Sequence, residues 1–332
     1  MKNFGDNLPY IRYGNDIRLE YREDFHQSTI ADLASTPPLL EFEPDFQRLE
    51  GPVETYKGVK CKFPPPGSAV VVGRGPSLFE HKHCEMLHEH KYQGLVVASD
   101  GGLLPLLEAG VIPDVVVTVD GSPIIKKFFD HPLVRQYGGQ MKWVTTVTVD
   151  HGVFLMALQS GMKIYWFNPQ FDDYRNIESW TLLQRLISRT DKFPLGVPHA
   201  MSGGNSGAFA WIMAMSIFNR SPIALIGIDF GYPEGTNLED THYFSNVLKI
   251  AEGDRAQIKD AYKKFYHPTF KTKAYVDFVF YHYRQAFLEM QKGTAAWYQH
   301  YGGTINCTEG GTLFGLGITC LKFKKFLEKY PK

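Results

Sequence analysis

From residue 67 onward, apolar positions occur in short runs separated by stretches of helix length. The runs "AVVV" (69–72), "LVVAS" (95–99), "VVVTV" (115–119), "WVTTVTV" (143–149), "KIYWFN" (163–168) and "SPIALIGIDF" (221–230) are mostly apolar and rich in β-branched residues, with Lys163 and Asp229 the charges among them. Runs of this kind fit strands covered on both faces, as in a parallel sheet. Between them, "SLFEHKHCEMLHEHKY" (77–92), "GGLLPLLEAG" (101–110) and "GAFAWIMAMSIF" (207–218) have helix length. The alternation predicts an α/β fold, a mainly parallel sheet with helices on both faces. Residues 1–66 lack such periodicity and end in Pro64-Pro65-Pro66, so they read as an N-terminal segment that packs on the core. Residues 67–320 form the main domain, within which 232–270 is polar, Gly/Pro-marked and lid-like. Residues 271–298 are aromatic and helical in pattern, and 321–332 make an amphipathic, Lys-rich tail.

In an open parallel sheet, ligands gather beyond the carboxyl ends of the strands. The first predicted strand ends in Gly73-Arg74-Gly75-Pro76-Ser77, where Ser77 is placed to cap a helix whose free N–H groups face an anion. An ordinary strand–turn–helix joint explains the same residues. Asp100-Gly101, Asp120-Gly121 and Asp229, two residues after Gly227, follow three other strands. One Asp-Gly is a turn; three at equivalent strand ends outline a polar cleft fit for ribose, phosphate or metal. "SGGNSGAF" (202–209) adds a second glycine-marked helix start, with Ser202, Ser206 and Gly207 near its opening. Close helix–sheet packing accounts for those glycines equally well. No Gly-Lys-Ser/Thr completes a nucleotide P-loop there.

Charge narrows the partners. Thirty-five Lys+Arg against 35 Asp+Glu give a net charge of zero, which excludes nucleic-acid binding through bulk charge. Cys61, Cys84, Cys307 and Cys320 form no CxxC pair, so reduced thiols and a cytoplasmic location are expected. The longest apolar run, 207–218, is too short to cross a bilayer. In "HKHCEMLHEHK" (81–91), Cys84 and His88 share a helix face, as do His81 and Glu85, but zinc needs three or four converging ligands. A solvated helix face is the plainer reading. An oligomer is compatible with the composition.

"VVVGRGPSL", "GVIPDVVVTVDGSP", "GGNSGAFAWIMAM", "PIALIGIDFGYPEG" and "INCTEGG" occur in the order found in motility accessory factor proteins. That group is similar to the archaeal 6-hydroxymethylpterin diphosphokinase (MptE-like) domain, and the opening loop also resembles bacterial sialyltransferases that use CMP-sugars. The resemblance, over roughly 67–315, implies a Rossmann-like nucleotide-binding transferase. It assigns nucleotide contacts to Gly73, Arg74, Gly75, Pro76, Ser77, Asp100, Asp120, Ser206, Gly207 and Asp229. Arg74 and Asp120 stand where the sialyltransferases carry Asn, and "GNSGAF" stands where the pterin enzymes carry Asp-Gly-Asp-Arg. The first expectation is therefore a glycosyltransferase moving a nonulosonic-acid-type sugar from a CMP-type donor to a protein or glycan acceptor. The sialyltransferase pattern points to His267 in the lid as general base, and the motility-factor pattern to His242. The alternative is an ATP-dependent diphosphokinase in which Asp100, Asp120 and Asp229 are candidate Mg²⁺ ligands, Asp120 and Asp229 foremost. A nucleotide-binding protein without turnover is the third reading.

Overall fold

The computed structural model describes residues 67–170, 179–191, 193–294, 296–315 and 317–331. The expectation that residues 1–66 pack on the core falls outside them. Twelve strands are described: β1 (Ala69–Val72), β2 (Leu95–Ser99), β3 (Val115–Thr118), β4 (Lys142–Thr146), β5 (Lys163–Pro169), β6 (His199–Ala200), β7 (Ile223–Ile226), β8 (Tyr232–Pro233), β9 (Lys263–His267), β10 (Thr272–Val276), β11 (Thr304–Asn306) and β12 (Ile318–Cys320). Nine form one sheet in the order β12-β11-β7-β1-β2-β3-β4-β5-β6, and every neighbouring pair is parallel. Because β1 and β2 are buried at every position, each strand is apolar on both faces.

The two faces pack different partners. Val71, Val97, Val117, Phe167 and Leu225 face Phe209, Trp211 and Phe287, whereas Val70, Val72, Ala98 and Ile226 face Leu78, Leu106 and Phe326. Helices thus cover both sides, as the apolar alternation predicted: a Rossmann-like α/β arrangement. The chain builds outward from β1 to β6 and then returns to β7 on the other side of β1. The strand order reverses between β1 and β7, which opens a crevice at their carboxyl ends.

The structure redraws the region after β7. Tyr232–Val276 contains a three-stranded antiparallel sheet, β8-β10-β9, with its own cluster of Tyr232, Val247, Ile258, Tyr262 and Phe278. The helix expected over 271–298 begins as β10, pairing His267 with Thr272, and turns helical only at Phe278. The helix expected over 77–92 breaks into α1 (Ser77–Glu80) and α2 (His83–Glu89) at Lys82, whose φ of 52° lies in the left-handed region. The tail forms a helix over Phe323–Lys329 that buries Phe323, Phe326 and Leu327 and leaves Lys324 and Lys325 exposed.

The tightest point is the approach of the loop after β1 to the loop after β7. A Cβ on Gly75 would collide with the Asp229 carboxylate and stand 2.8 Å from the Gly227 carbonyl oxygen. Gly75→Val is therefore expected to cost about 1–3 kcal/mol of stability by overpacking. Exposed Gly139, whose nearest neighbour would be 3.9 Å away, supplies a Gly139→Ala control. Urea unfolding of both variants checks the difference.

Candidate functional site

The strand-end loops meet at the carboxyl edge of the sheet, but their glycines serve the protein's own backbone. The Gly73 N–H donates to the Ile226 carbonyl at 2.9 Å and the Gly75 N–H to the Gly227 carbonyl at 2.7 Å. Ser77 does not cap α1. Pro76 holds the cap position without a side-chain bond, and Ser77 turns its N–H (3.2 Å) and hydroxyl (2.9 Å) onto Asp229 Oδ2. Ile228 fills the space between the glycine loops, since its Cδ1 would lie 2.5 Å from a Cβ on Gly73 and 2.6 Å from one on Gly207. The glycines permit close packing, the plainer of the two readings open from sequence.

Ser206 links the second loop to the sheet. It begins α3 (Ser206–Ile212), capped by Asn205; Ser202, just upstream, is buried and its Oγ accepts from the Gly204 N–H at 3.4 Å. The Ser206 hydroxyl donates to Asp100 Oδ2 at 2.8 Å and accepts from the Val119 N–H at 3.1 Å. Asp100 Oδ1 accepts from the Gly101 N–H at 2.6 Å. Burial pushes the Asp100 carboxyl up to about 7, against the pull of its Ser206 and Gly101 bonds; nearby Asp120 adds to the rise and Lys127 opposes it. Asp229, 5% exposed, is likewise pushed up to about 7 by burial despite both Ser77 bonds.

Asp120 is the strand-end carboxylate that reaches solvent. Its Oδ1 accepts from the Ser122 N–H at 2.8 Å, and partial enclosure of the carboxylate raises its pKa, opposed by that bond and by His242. His242 is exposed at the same edge, held in place through its backbone, whose N–H donates to the Tyr232 hydroxyl at 3.0 Å. That hydroxyl donates to Asp277 Oδ2 at 2.9 Å. Crowding by protein and then the Lys127 charge lower the His242 pKa, with Asp120 pulling the other way. The balance favours the neutral ring. Arg74 lies on the rim, where its guanidinium donates to the Gly101 carbonyl at 3.3 Å.

His267 packs against the carboxyl ends of β11 and β12, beside Asn306 and Cys320, and is closed off there. It is fully buried in β9, donating from Nε2 to the Leu313 carbonyl (3.3 Å) and accepting the Phe270 N–H at Nδ1 (3.3 Å). Both ring nitrogens are spent on main chain, so the expected preference for His267 over His242 reverses. Tyr262 bonds Thr241 at 2.6 Å, and Lys263, Lys264 and Tyr266 lie on β9 rather than on a helix face. Sequence reading missed Lys127, Tyr232 and Asp277. Lys127 follows Asp120 by seven positions, a readable signal; the Tyr232–Asp277 bond joins residues 45 apart and leaves none.

A groove of about 590 Å³ between β11, β12 and the C-terminal helix, lined in part by Ile305, Leu321 and Tyr330, contains none of these side chains. Among the described residues, no three His, Cys, Asp or Glu side chains group as a metal site, and no helix is long and apolar enough to cross a membrane.

A doubly covered parallel sheet with polar groups at its switch point defines a Rossmann-like protein with a carboxyl-edge site. Residues 50–235 match the model of the family described as 6-hydroxymethylpterin diphosphokinase MptE-like, and the chain belongs to that family. It is 30% identical over 169 residues to the 6-hydroxymethyl-7,8-dihydropterin pyrophosphokinase of Methanothermobacter thermautotrophicus, a match covering 50% of this chain and 59% of that protein. The chain thus spans less than two thirds of that relative. The MAf glycosyltransferase of Magnetospirillum magneticum AMB-1 is similar in structure, with a TM-score of 0.53 and 12% identity over 80% of this chain and 35% of its own. That likeness concerns the fold.

The raised carboxyls set a direction for stability against pH. Asp100 and Asp229 bind protons more tightly folded than unfolded, so their contribution is full below the unfolded value of 3.8 and is lost as pH rises through about 7. Thermal melts between pH 4 and 8 are expected to show Asp229→Asn gaining in Tm relative to wild type as pH rises through about 7.

Proposed function

We propose that the chain is a nucleotide-dependent transferase that moves a sugar of nonulosonic-acid type from a CMP-type donor to a hydroxyl on a glycan or protein, with His242 as general base. One observation carries the reading: an exposed, neutral histidine shares its electrostatic surroundings with Asp120 and Lys127 at the switch-point edge. In the step, the bond from the anomeric carbon to the phosphate oxygen breaks and its electron pair leaves with CMP. The acceptor oxygen bonds to the anomeric carbon and its proton passes to the His242 ring. Asp120 stabilises the imidazolium that forms. Tyr232, held by Asp277, fixes the backbone that carries the ring.

The diphosphokinase reading has the family description and the archaeal relative in its favour. Such a reaction uses Mg²⁺, whose octahedral shell draws on carboxylates, phosphates and water. Here Asp100 and Asp229 are buried and bonded to serines, which leaves Asp120 as the one exposed carboxylate of the three. One carboxylate with phosphate oxygens and water would complete the ion's shell, so Asp120 is the residue that would hold it in that reaction.

His242→Ala is expected to lower kcat by about 10²–10⁴ while CMP affinity stays close to wild type. His267→Ala is expected to lower Tm instead. The wild-type kcat should fall on acidification, at lower pH than for an ordinary imidazole, as the ring takes up a proton, and Asp120→Asn should shift that limb. CMP release from a CMP-sugar donor is the measurement. Turnover of a pterin alcohol with Mg-ATP, and none with CMP-sugars, would replace this reading with the diphosphokinase one.

A further inference from the structure

We propose that Arg74 and Lys127 form a side-chain clamp for the donor's phosphate, taking the role that the glycine loop has in nucleotide folds with free loop amides. The proposal rests on the transferase reading and names the group of the ligand that this edge holds. In the first loop, the Gly73, Gly75 and Ser77 N–H groups are all committed inside the protein, and Pro76 has none. Of that loop's amides only the Arg74 N–H is left to an anion, so most of its donors must be side chains.

The cations nearby differ in what they are already doing. Lys126 is paired with Asp150 at 3.0 Å. Among the described residues, neither Arg74 nor Lys127 pairs with a carboxylate; both instead lie on the ring of Phe128. The Arg74 guanidinium carbon is 5.2 Å from the ring centroid and the Lys127 ammonium 5.0 Å. Arg74 also lies 5.8 Å from the exposed ring of Phe79. A guanidinium resting on an aromatic face keeps its in-plane N–H fork open, the geometry that grips two phosphate oxygens. One Arg74 N–H is used on Gly101, which ties the group to the loop after β2, beside Asp100.

Lys127 stands on the short helix Lys126–Phe129 after β3, on the ring of Phe128 that Arg74 also touches, and its charge acts on both Asp100 and His242. Asp120 and Asp100 would repel a phosphate placed there, and two cations on one ring offset that repulsion. As the sugar–oxygen bond breaks, negative charge grows on the departing phosphate, and a clamp already in place stabilises it without reorganising. Such an arrangement selects a phosphate-bearing ligand over its nucleoside.

The test is equilibrium binding of CMP, cytidine and pyrophosphate to wild type, Arg74→Met, Lys127→Met and the double variant. Both side chains are exposed, and Tm checks that each variant folds. Each single change is expected to weaken CMP and pyrophosphate about 10-fold, the size of a lost charge-assisted bond, and to leave cytidine unchanged. Arg74→Lys should recover part of the loss. If both anions bind all four proteins alike, the clamp is wrong although the transferase reading stands. If pyrophosphate binding depends on Arg74 and Lys127 but CMP does not bind, the clamp stands and the nucleotide reading falls. Failure of wild type to bind either anion overturns both.

Discussion

The structure depends on how closely two loops approach where the sheet reverses its strand order. The loop after β1 bonds through Gly75 to the Gly227 carbonyl, and through Ser77 to Asp229. Three consequences follow from that contact. It fixes α1 against the return strand β7, it removes most of the loop's amides from solution, and it buries a carboxylate that ordinary solvation would keep ionised. The loop after β11 completes the closure, with the Thr312 N–H and hydroxyl on the Asp229 carbonyl at 2.9 and 3.1 Å. A residue with a side chain at Gly75 would therefore disturb three connections at once.

Burial sorts the strand-end aspartates into two kinds. Asp100 and Asp229 are inward, bonded to Ser206 and Ser77, and held with pKa values near neutrality. Asp120 is outward and meets His242 and Lys127. Desolvation destabilises a buried carboxylate, and a serine hydroxyl offsets part of that cost. The inner pair accordingly braces the loops, while the outer residue is free to act on a ligand. A place just past the end of a strand gave all three the same appearance in sequence.

What sequence made legible was the sheet. Continuous apolar runs have one economical arrangement, burial on both faces; β1, β2 and β3 appear within a residue of their predicted bounds, while β7 stops at Ile226, short of the predicted run's end at Phe230. The antiparallel unit was hidden because "KKFYH" and "TKAYV" are half-polar, and their pairing depends on a turn and on tertiary cover by Phe278. At the site, residue types were readable but direction was not. His242 and His267 both follow β7 in aromatic-rich segments, yet one is exposed and the other fully buried, a difference set by the packing of Leu313 and Phe270. Lys127 was readable as a charge, but only Phe128, placed by the fold, sets it beside Arg74.

The division of the site along the chain bears on which reaction it performs. Arg74, Asp100, Asp120, Lys127, Ser206 and Asp229 all lie within the family match of 50–235, and His242 lies beyond it. The phosphate-side groups thus belong to the shared Rossmann-like part. The proposed base, His242, stands on the segment between β8 and β9; its N–H is held by the Tyr232 hydroxyl, which donates in turn to Asp277, the N-cap of the helix Phe278–Lys292. A phosphate leaving group needs compensating charge in sugar transfer and in diphosphoryl transfer alike, so the shared part does not choose between them. A neutral histidine that accepts a hydroxyl proton suits either nucleophile as well. With Asp229 committed to Ser77 and Asp100 to Ser206, the edge offers two cations and one open carboxylate. Both reactions would release a nucleoside monophosphate, so what separates them is whether a metal ion joins Asp120 at that edge.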